Sequence, residues 1–139
     1  MRKLSNVKKR FARIPNETID DVNLDFVAGF LLVILLRQKD GWDITIERIA
    51  RKYGHAEYPL ANAMGLLQVL RYVFKLRVQK TSGEWVVYLV VSDVPVDDEG
   101  ISDFMDGVAD EYDVAEVRFI EPPQTAVRRF EERRQKRGF

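Results

Sequence analysis

The strongest pattern along the chain is an apolar run over residues 26–36 that no charge interrupts. Asp25 stands just before it and can cap a helix over 26–38, whose first N–H groups need acceptors. Phe26, Val27, Phe30, Leu31, Ile34 and Leu35 recur at helical spacing and predict its inner face. Leu32, Val33 and Leu36 make it apolar nearly all round, so the helix is expected at the centre of the fold. Asp40-Gly41 breaks it, and Trp42-Asp43-Ile44 reads as a short extended piece. Phe30 and Trp42 are both expected to be buried.

Thr45 is placed to cap a helix over 46–53, with Ile46, Ile49, Ala50 and Tyr53 on one face and Gly54 closing it. After a turn at 55–58, Pro59 sits where a first helical turn accepts proline. The helix that follows, 59–72, turns Leu60, Ala63, Met64, Leu67 and Leu70 inward. Two runs rich in aromatic and β-branched residues, 74–80 and 85–92, flank Thr81-Ser82-Gly83-Glu84 and predict a hairpin. Upstream, Phe11-Ala12-Arg13-Ile14 alternates before Pro15, the pattern of a short edge strand. Beyond Pro95, Ile101, Phe104, Met105, Val108, Ala109 and Tyr112 predict an amphipathic helix with an acidic outer face. Ala115, Val117 and Phe119 alternate as in a strand, and Thr125 can open a last, basic helix with a narrow stripe of Ala126, Val127 and Phe130.

A helix, a helix–turn–helix pair and a hairpin, in that order, predict an α+β fold. This is the order of a winged helix-turn-helix, expected over 11–95, with a basic N-terminal arm, 1–10, before it and a small α-β-α appendage, 96–139, after it.

Charge sharpens this division. The net charge is zero, yet residues 1–92 carry 15 Lys/Arg against 9 Asp/Glu, residues 93–121 carry 1 against 11, and residues 122–139 carry 6 against 2. A basic body, an acidic insert and a basic tail leave room for a nucleic-acid partner, because local fields act within roughly 10 Å at moderate salt. The acidic block would repel a duplex wherever it is exposed, or could fold against the basic body and screen it. The 32% of charged residues stands beside 46% hydrophobic ones, enough to build a core. There is no cysteine, which excludes a disulfide framework and fits a reducing cytoplasm. The apolar run is far short of the roughly 20 residues of a membrane span. Asp20, Asp21 and Asp25 form the wrong flank for a signal peptide.

Catalytic chemistry has little to stand on. The single histidine, His55, falls in a turn, where a surface or capping side chain is the ordinary reading. No His/Asp/Glu cluster has metal-ligand spacing, and no phosphate-cradling glycine motif or nucleophile elbow is present. Asp97-Asp98-Glu99 lacks the alternating oxygens and glycine of a calcium loop. No enzyme activity, metal or cofactor is expected.

Residues 11–95 resemble the winged-helix domains of actinobacterial and phage DNA-binding proteins related to replication-initiator N-terminal domains. The resemblance rests on Arg13-Ile14-Pro15-Asn16-Glu17, Asp21, Leu24, Ala28-Gly29-Phe30-Leu31-Leu32 and Leu35-Leu36. It continues through Trp42, residues 46–50, Gly54, Ala63-Met64, Leu67, Tyr72 and Val91-Ser92-Asp93-Val94-Pro95. It implies binding of double-stranded DNA with helix 59–72 in the major groove, in a regulator or replication accessory factor of a bacterium, plasmid or phage. Phosphate contacts would then fall to Lys8, Lys9, Arg10 and Arg13 of the arm, to Arg48, Arg51 and Lys52, and to Arg77 and Lys80 in the wing. The arm reads equally as a solvated tail. Base readout would fall to Tyr58, Asn62 and Gln68. The chain departs from its relatives on that helix, where Asn62, Gly65, Leu66 and Val69 form one stripe that is mostly unable to read base edges. Two accounts of the stripe stand: Gly65, Leu66 and Val69 are a protein contact surface, or Leu66 and Val69 touch thymine methyls. As a contact surface it would be a dimer interface, the seat of another protein partner, or the seat of the C-terminal appendage, for which Phe104, Met105 and Val108 are the candidates. A rotated helix that buries both stripes in the core overlaps with this account.

Overall fold

The structure, a computed structural model, describes residues 1–6, 14–111 and 113–137. After a single turn of helix, α1 (Asn16–Ile19), the apolar run forms α2 (Phe26–Arg37). Asp25 caps it, its carboxylate accepting the Ala28 N–H at 2.9 Å. Ala28, Leu31, Leu32, Ile34, Leu35 and Leu36 are buried. The inner face is therefore rotated from the expected one. Phe26 is 97% exposed and Phe30 56%, and the expectation that Phe30 is buried is wrong. The helix itself stands. With apolar residues on every side, only its neighbours decide which face goes in. Trp42, also expected in the core, is 57% exposed. It leaves the Asp40-Gly41 turn before the chain reaches the interior, and Ile44 is buried in its stead.

Thr45 caps α3 (Ile46–Tyr53), accepting the Arg48 N–H, and Gly54 ends it at φ 62°, the left-handed conformation that favours glycine. Helix α4 (Glu57–Val69) follows at once, with Pro59 inside its first turn. Leu60, Ala63, Met64 and Leu67 join α2, Ile49 and Ala50 in one core.

The hairpin is β2 (Val73–Lys80) and β3 (Trp85–Val91), antiparallel, with Val73 opposite Val91 and Gln79 opposite Trp85. Two further strands flank it. Residues 2–5, expected as part of a free basic arm, are β1 (Arg2–Ser5), parallel to β3. Lys3, within that arm, is 2% exposed. Its ammonium donates to Ser5 Oγ and the Gln38 carbonyl and pairs with Asp40 at 3.3 Å. The edge strand expected at 11–14 lies outside the described residues except for Ile14, which is not in a strand and packs on the core. On the other side, α5 (Asp98–Glu111) leads into β4 (Val114–Ile120), antiparallel to β2, and α6 (Gln124–Arg137) ends the described chain. The order is β1-β3-β2-β4, a mixed α+β arrangement in which β3, α5 and β4 form a split crossover around β2. Residues 96–139, expected as an appendage, thus complete the sheet.

Alternation along β2 sorts the layers. Phe74, Leu76 and Val78 meet Ile101, Phe104 and Val108 of α5 on one face. Val73, Leu89 and Val91 meet α2 and α4 on the other. Each large aliphatic side chain so buried contributes roughly 1.5–3 kcal/mol. The two helical layers therefore lie on opposite faces of the sheet.

Candidate nucleic-acid interface

The outer face of α4 is covered by the chain itself. A Cβ added at Gly65 would stand 2.9 Å from the Ala126 methyl, so the missing side chain lets α6 approach the α4 backbone. Leu66 is 7% exposed, and Phe130 of α6 packs on the same core. Three residues after Ala126, the Arg129 guanidinium donates to the Tyr58 hydroxyl at 2.8 Å and to Asn62 Oδ1. Arg133 then reaches Asp25 at 3.3 Å. As α6 ascends its contacts on α4 descend, so the helices run antiparallel. Between them and the start of α2 lies a cleft of about 300 Å³, lined by Val27, Leu66 and Phe130 among others.

These contacts correct several expectations. The cover of Gly65 and Leu66 is α6, a helix of the C-terminal appendage, and not the helix with Phe104, Met105 and Val108, which belong to the far face of the sheet. A homodimer through Leu66 therefore loses its surface, while Val69 is half-buried. Of the base-reading candidates, Gln68 is 3% exposed and cannot meet a base edge. Tyr58 is exposed, but its hydroxyl and Asn62 are engaged by Arg129. The Arg129 hydrogen bond and charge hold the Tyr58 phenol below the usual tyrosine range.

The phosphate candidates fare differently. Arg48, Arg51 and Lys52 are exposed on α3 and make no ion pair among the described residues, Lys52 lying 5.6 Å from the Tyr53 ring centroid. In the hairpin, Arg77 is exposed and Lys80 sits 3.9 Å from Glu84. Lys8, Lys9, Arg10 and Arg13 lie outside the described residues. Reasoning from sequence missed the cations of α6 itself, of which Arg128, Arg134 and Lys136 are exposed. Their basic helix was legible, but not that it lies along α4. It also missed Arg118, whose place in the alternation of β4 was visible.

The acidic helix lies on the other side of the sheet from α3 and α6. The six carboxylates of α5, Asp98, Glu99, Asp103, Asp106, Asp110 and Glu111, are exposed on a helix with no basic residue. They stand on the face away from α4, which α3 and α6 both contact. The acidic helix therefore folds against the sheet, where Asp98 pairs with Arg71 at 3.2 Å, and does not share the layer of α3 and α6. Glu116 of the same acidic block lies on the α4 side and pairs with Arg118. The α4 layer also exposes an aromatic stripe: Phe26, Phe30 and, edge-on to Phe30 at 5.8 Å between centroids, Tyr53. Among the described residues no group of three or more potential ligands is placed to hold a metal ion, and no helix is long and apolar enough to cross a membrane.

No family model matches this sequence, and neither a curated protein nor a solved structure gives a significant match to it.

Proposed function

We propose that the chain is a non-enzymatic, cytosolic DNA-binding protein of the winged-helix type, a regulator or replication accessory factor of a bacterium, plasmid or phage. Helices α2, α3 and α4 are its three-helix core, hairpin β2–β3 is the wing, and the duplex lies on the α3 and α6 side. The observation that carries this is that the exposed cations of α3 and α6, Arg48, Arg51, Lys52, Arg128, Arg134 and Lys136, lie on the face of the sheet away from the acidic helix α5, although exposed Glu47, Glu57, Glu131 and Glu132 share that face. Because Gly65 and Leu66 are covered and Gln68 is buried, the grip is on phosphates, through Arg48, Arg51, Lys52, Arg128, Arg134 and Lys136, with little base readout.

Fluorescence anisotropy on a random duplex at several salt concentrations tests it. Log affinity should fall with log salt at about −0.9 per phosphate contact. Replacing Arg128 and Arg134 by alanine, or Lys8, Lys9 and Arg10 together, should flatten the slope and weaken binding evenly across sequences. Absence of binding at low salt, on random and genomic duplex alike, removes DNA from the account.

A second reading, a protein-docking module with only weak nucleic-acid affinity, is favoured by the exposed stripe of Phe26, Phe30 and Tyr53, since contiguous apolar surface usually has a partner. Changing Phe26 and Phe30 to serine separates the two, for it should leave the salt slope intact.

A further inference from the structure

The part of the sheet that faces the α4 layer but lies beyond it, toward the hairpin turn, carries cations around an indole. Residues Lys75, Arg77 and Gln79 of β2 share this face with Trp85 and Val87 of β3 and with Glu116 and Arg118 of β4, as the cross-strand register requires. Arg77 and Arg118 are direct partners, an arrangement of like charges that a sheet ordinarily avoids. Glu116 answers one of them, bonding Arg118 at 2.7 Å. Arg77 has no carboxylate partner among the described residues and stacks on Trp85 instead, its guanidinium 4.5 Å from the ring centroid, with that of Arg118 at 5.7 Å. Lys75 stands two residues along the same strand, about 7 Å away. It is likewise without an ion pair among the described residues, and burial lowers its pKa below the usual lysine range. Three cations against one carboxylate, beside a half-buried indole, suit a ligand that is both anionic and aromatic.

We propose that the Lys75, Arg77, Trp85 and Arg118 face of the sheet binds single-stranded nucleic acid, the guanidinium groups taking phosphates and Trp85 a base. A positive surface that follows the backbone, with an aromatic ring for bases to stack on, is how single strands are held without sequence preference. This rests on the nucleic-acid reading above and adds a second element: an unpaired strand on the sheet beside a duplex on α3 and α6.

The chain has two tryptophans, so Trp42→Phe leaves Trp85 as the sole indole reporter. Short oligothymidylate should quench its emission saturably. Trp85→Leu should weaken binding of labelled oligothymidylate about ten-fold or more, and Trp85→Phe should restore most of it. Arg77→Ala with Arg118→Ala should flatten the single-strand salt slope by about 1.4, at about 0.7 per contact. Blunt-duplex affinity should not change with Trp85→Leu. If the duplex binds but oligothymidylate leaves Trp85 emission unmoved, the inference is overturned and the duplex reading stands. Equal quenching by polyglutamate overturns it too, because the face would then be a general anion or acidic-peptide surface. If neither nucleic acid binds, both fall. Binding of oligothymidylate alone sustains the sheet site and removes the duplex.

Discussion

Replacing Gly65 by leucine should lift α6 off α4 while leaving the rest of the fold in place. The Cβ position at 65 is already 2.9 Å from Ala126, against about 3.5–4.0 Å for carbons in ordinary contact, so α6 must retreat by about 0.6–1.1 Å even for alanine. Alanine also gains up to about 1 kcal/mol of helix propensity, which offsets much of that strain, so Gly65→Ala should be near neutral. Leucine adds three more carbons where Ala126 sits, and such overpacking costs about 1–3 kcal/mol. What holds α6 is modest: burial of Leu66 and part of Phe130, each worth at most about 1.5–3 kcal/mol, and the partly exposed bonds from Arg129 and Arg133. Undocking is therefore the cheaper response. Limited trypsin digestion reads it directly, because Arg128, Arg129 and Arg133 lie on the docked helix. Cleavage there follows the undocked population, and about 1.4 kcal/mol corresponds to a ten-fold faster rate. Hydrogen exchange of the α6 amides should accelerate in parallel, with β2 and β3 unchanged. If Gly65→Leu protects α6 as well as glycine does, the close approach at Ala126 does not position this helix.

Other outcomes follow from burial and titration. Phe30→Ala should cost only about 1 kcal/mol, the scale of its edge contact with Tyr53, whereas Leu31→Ala, one residue on and fully buried, should cost about 2–5 kcal/mol in chemical denaturation. Burial and the 2.7 Å bond to Asp21 raise the pKa of Tyr72, so its stabilisation is complete below the ordinary tyrosine value of about 10 and is lost as pH rises past it. Tyr72→Phe should lower stability at neutral pH by about 1–2 kcal/mol and remove that part of the alkaline loss, as melts across alkaline pH will show. Arg129→Gln should return the depressed Tyr58 pKa toward the ordinary value, measured as phenolate absorbance against a Tyr58→Phe reference.

What was legible in the sequence was local. Asp25, Thr45 and Gly54 act on their own helix ends, and the hairpin turn with Gly83 acts on its own two strands, so these signals survive whatever packs around them. The inner face of α2 was not legible, because a helix apolar all round has no direction until neighbours supply one. Nor was β1. Arg2-Lys3-Leu4-Ser5 has one apolar residue, and its strand exists through pairing with β3, more than eighty residues away. At the candidate site the apolar stripe was legible and two accounts of it stood open; the structure lays α6 over Gly65 and Leu66 and leaves Val69 half-buried. Its cover was not identified, since the α6 stripe of Ala126, Val127 and Phe130 is narrower than the α5 stripe that competes for the role.

On the winged-helix reading, a duplex approaching α4 meets α6 first, and two arrangements are possible: it rides on the docked α6 or displaces it. The side chains favour riding. Arg129 and Arg133 are spent inward on Tyr58, Asn62 and Asp25, while Arg128, Arg134 and Lys136 remain exposed. Beneath α6, the uncovered face would offer Gly65 and Leu66, which have no side-chain donor or acceptor for a base edge, and would free only Tyr58 and Asn62 from Arg129. Displacement would therefore spend the α6 contacts for the readout of two side chains at most. The Gly65→Leu protein distinguishes the two. If α6 must leave, apparent affinity is limited by the undocked fraction, and undocking in advance should tighten DNA binding. If DNA rides on α6, undocking loosens the frame that holds Arg128 and Arg134, and binding should weaken with a flatter salt slope. The expected result is weaker binding, and a tighter complex would show that α6 is a cover to be removed.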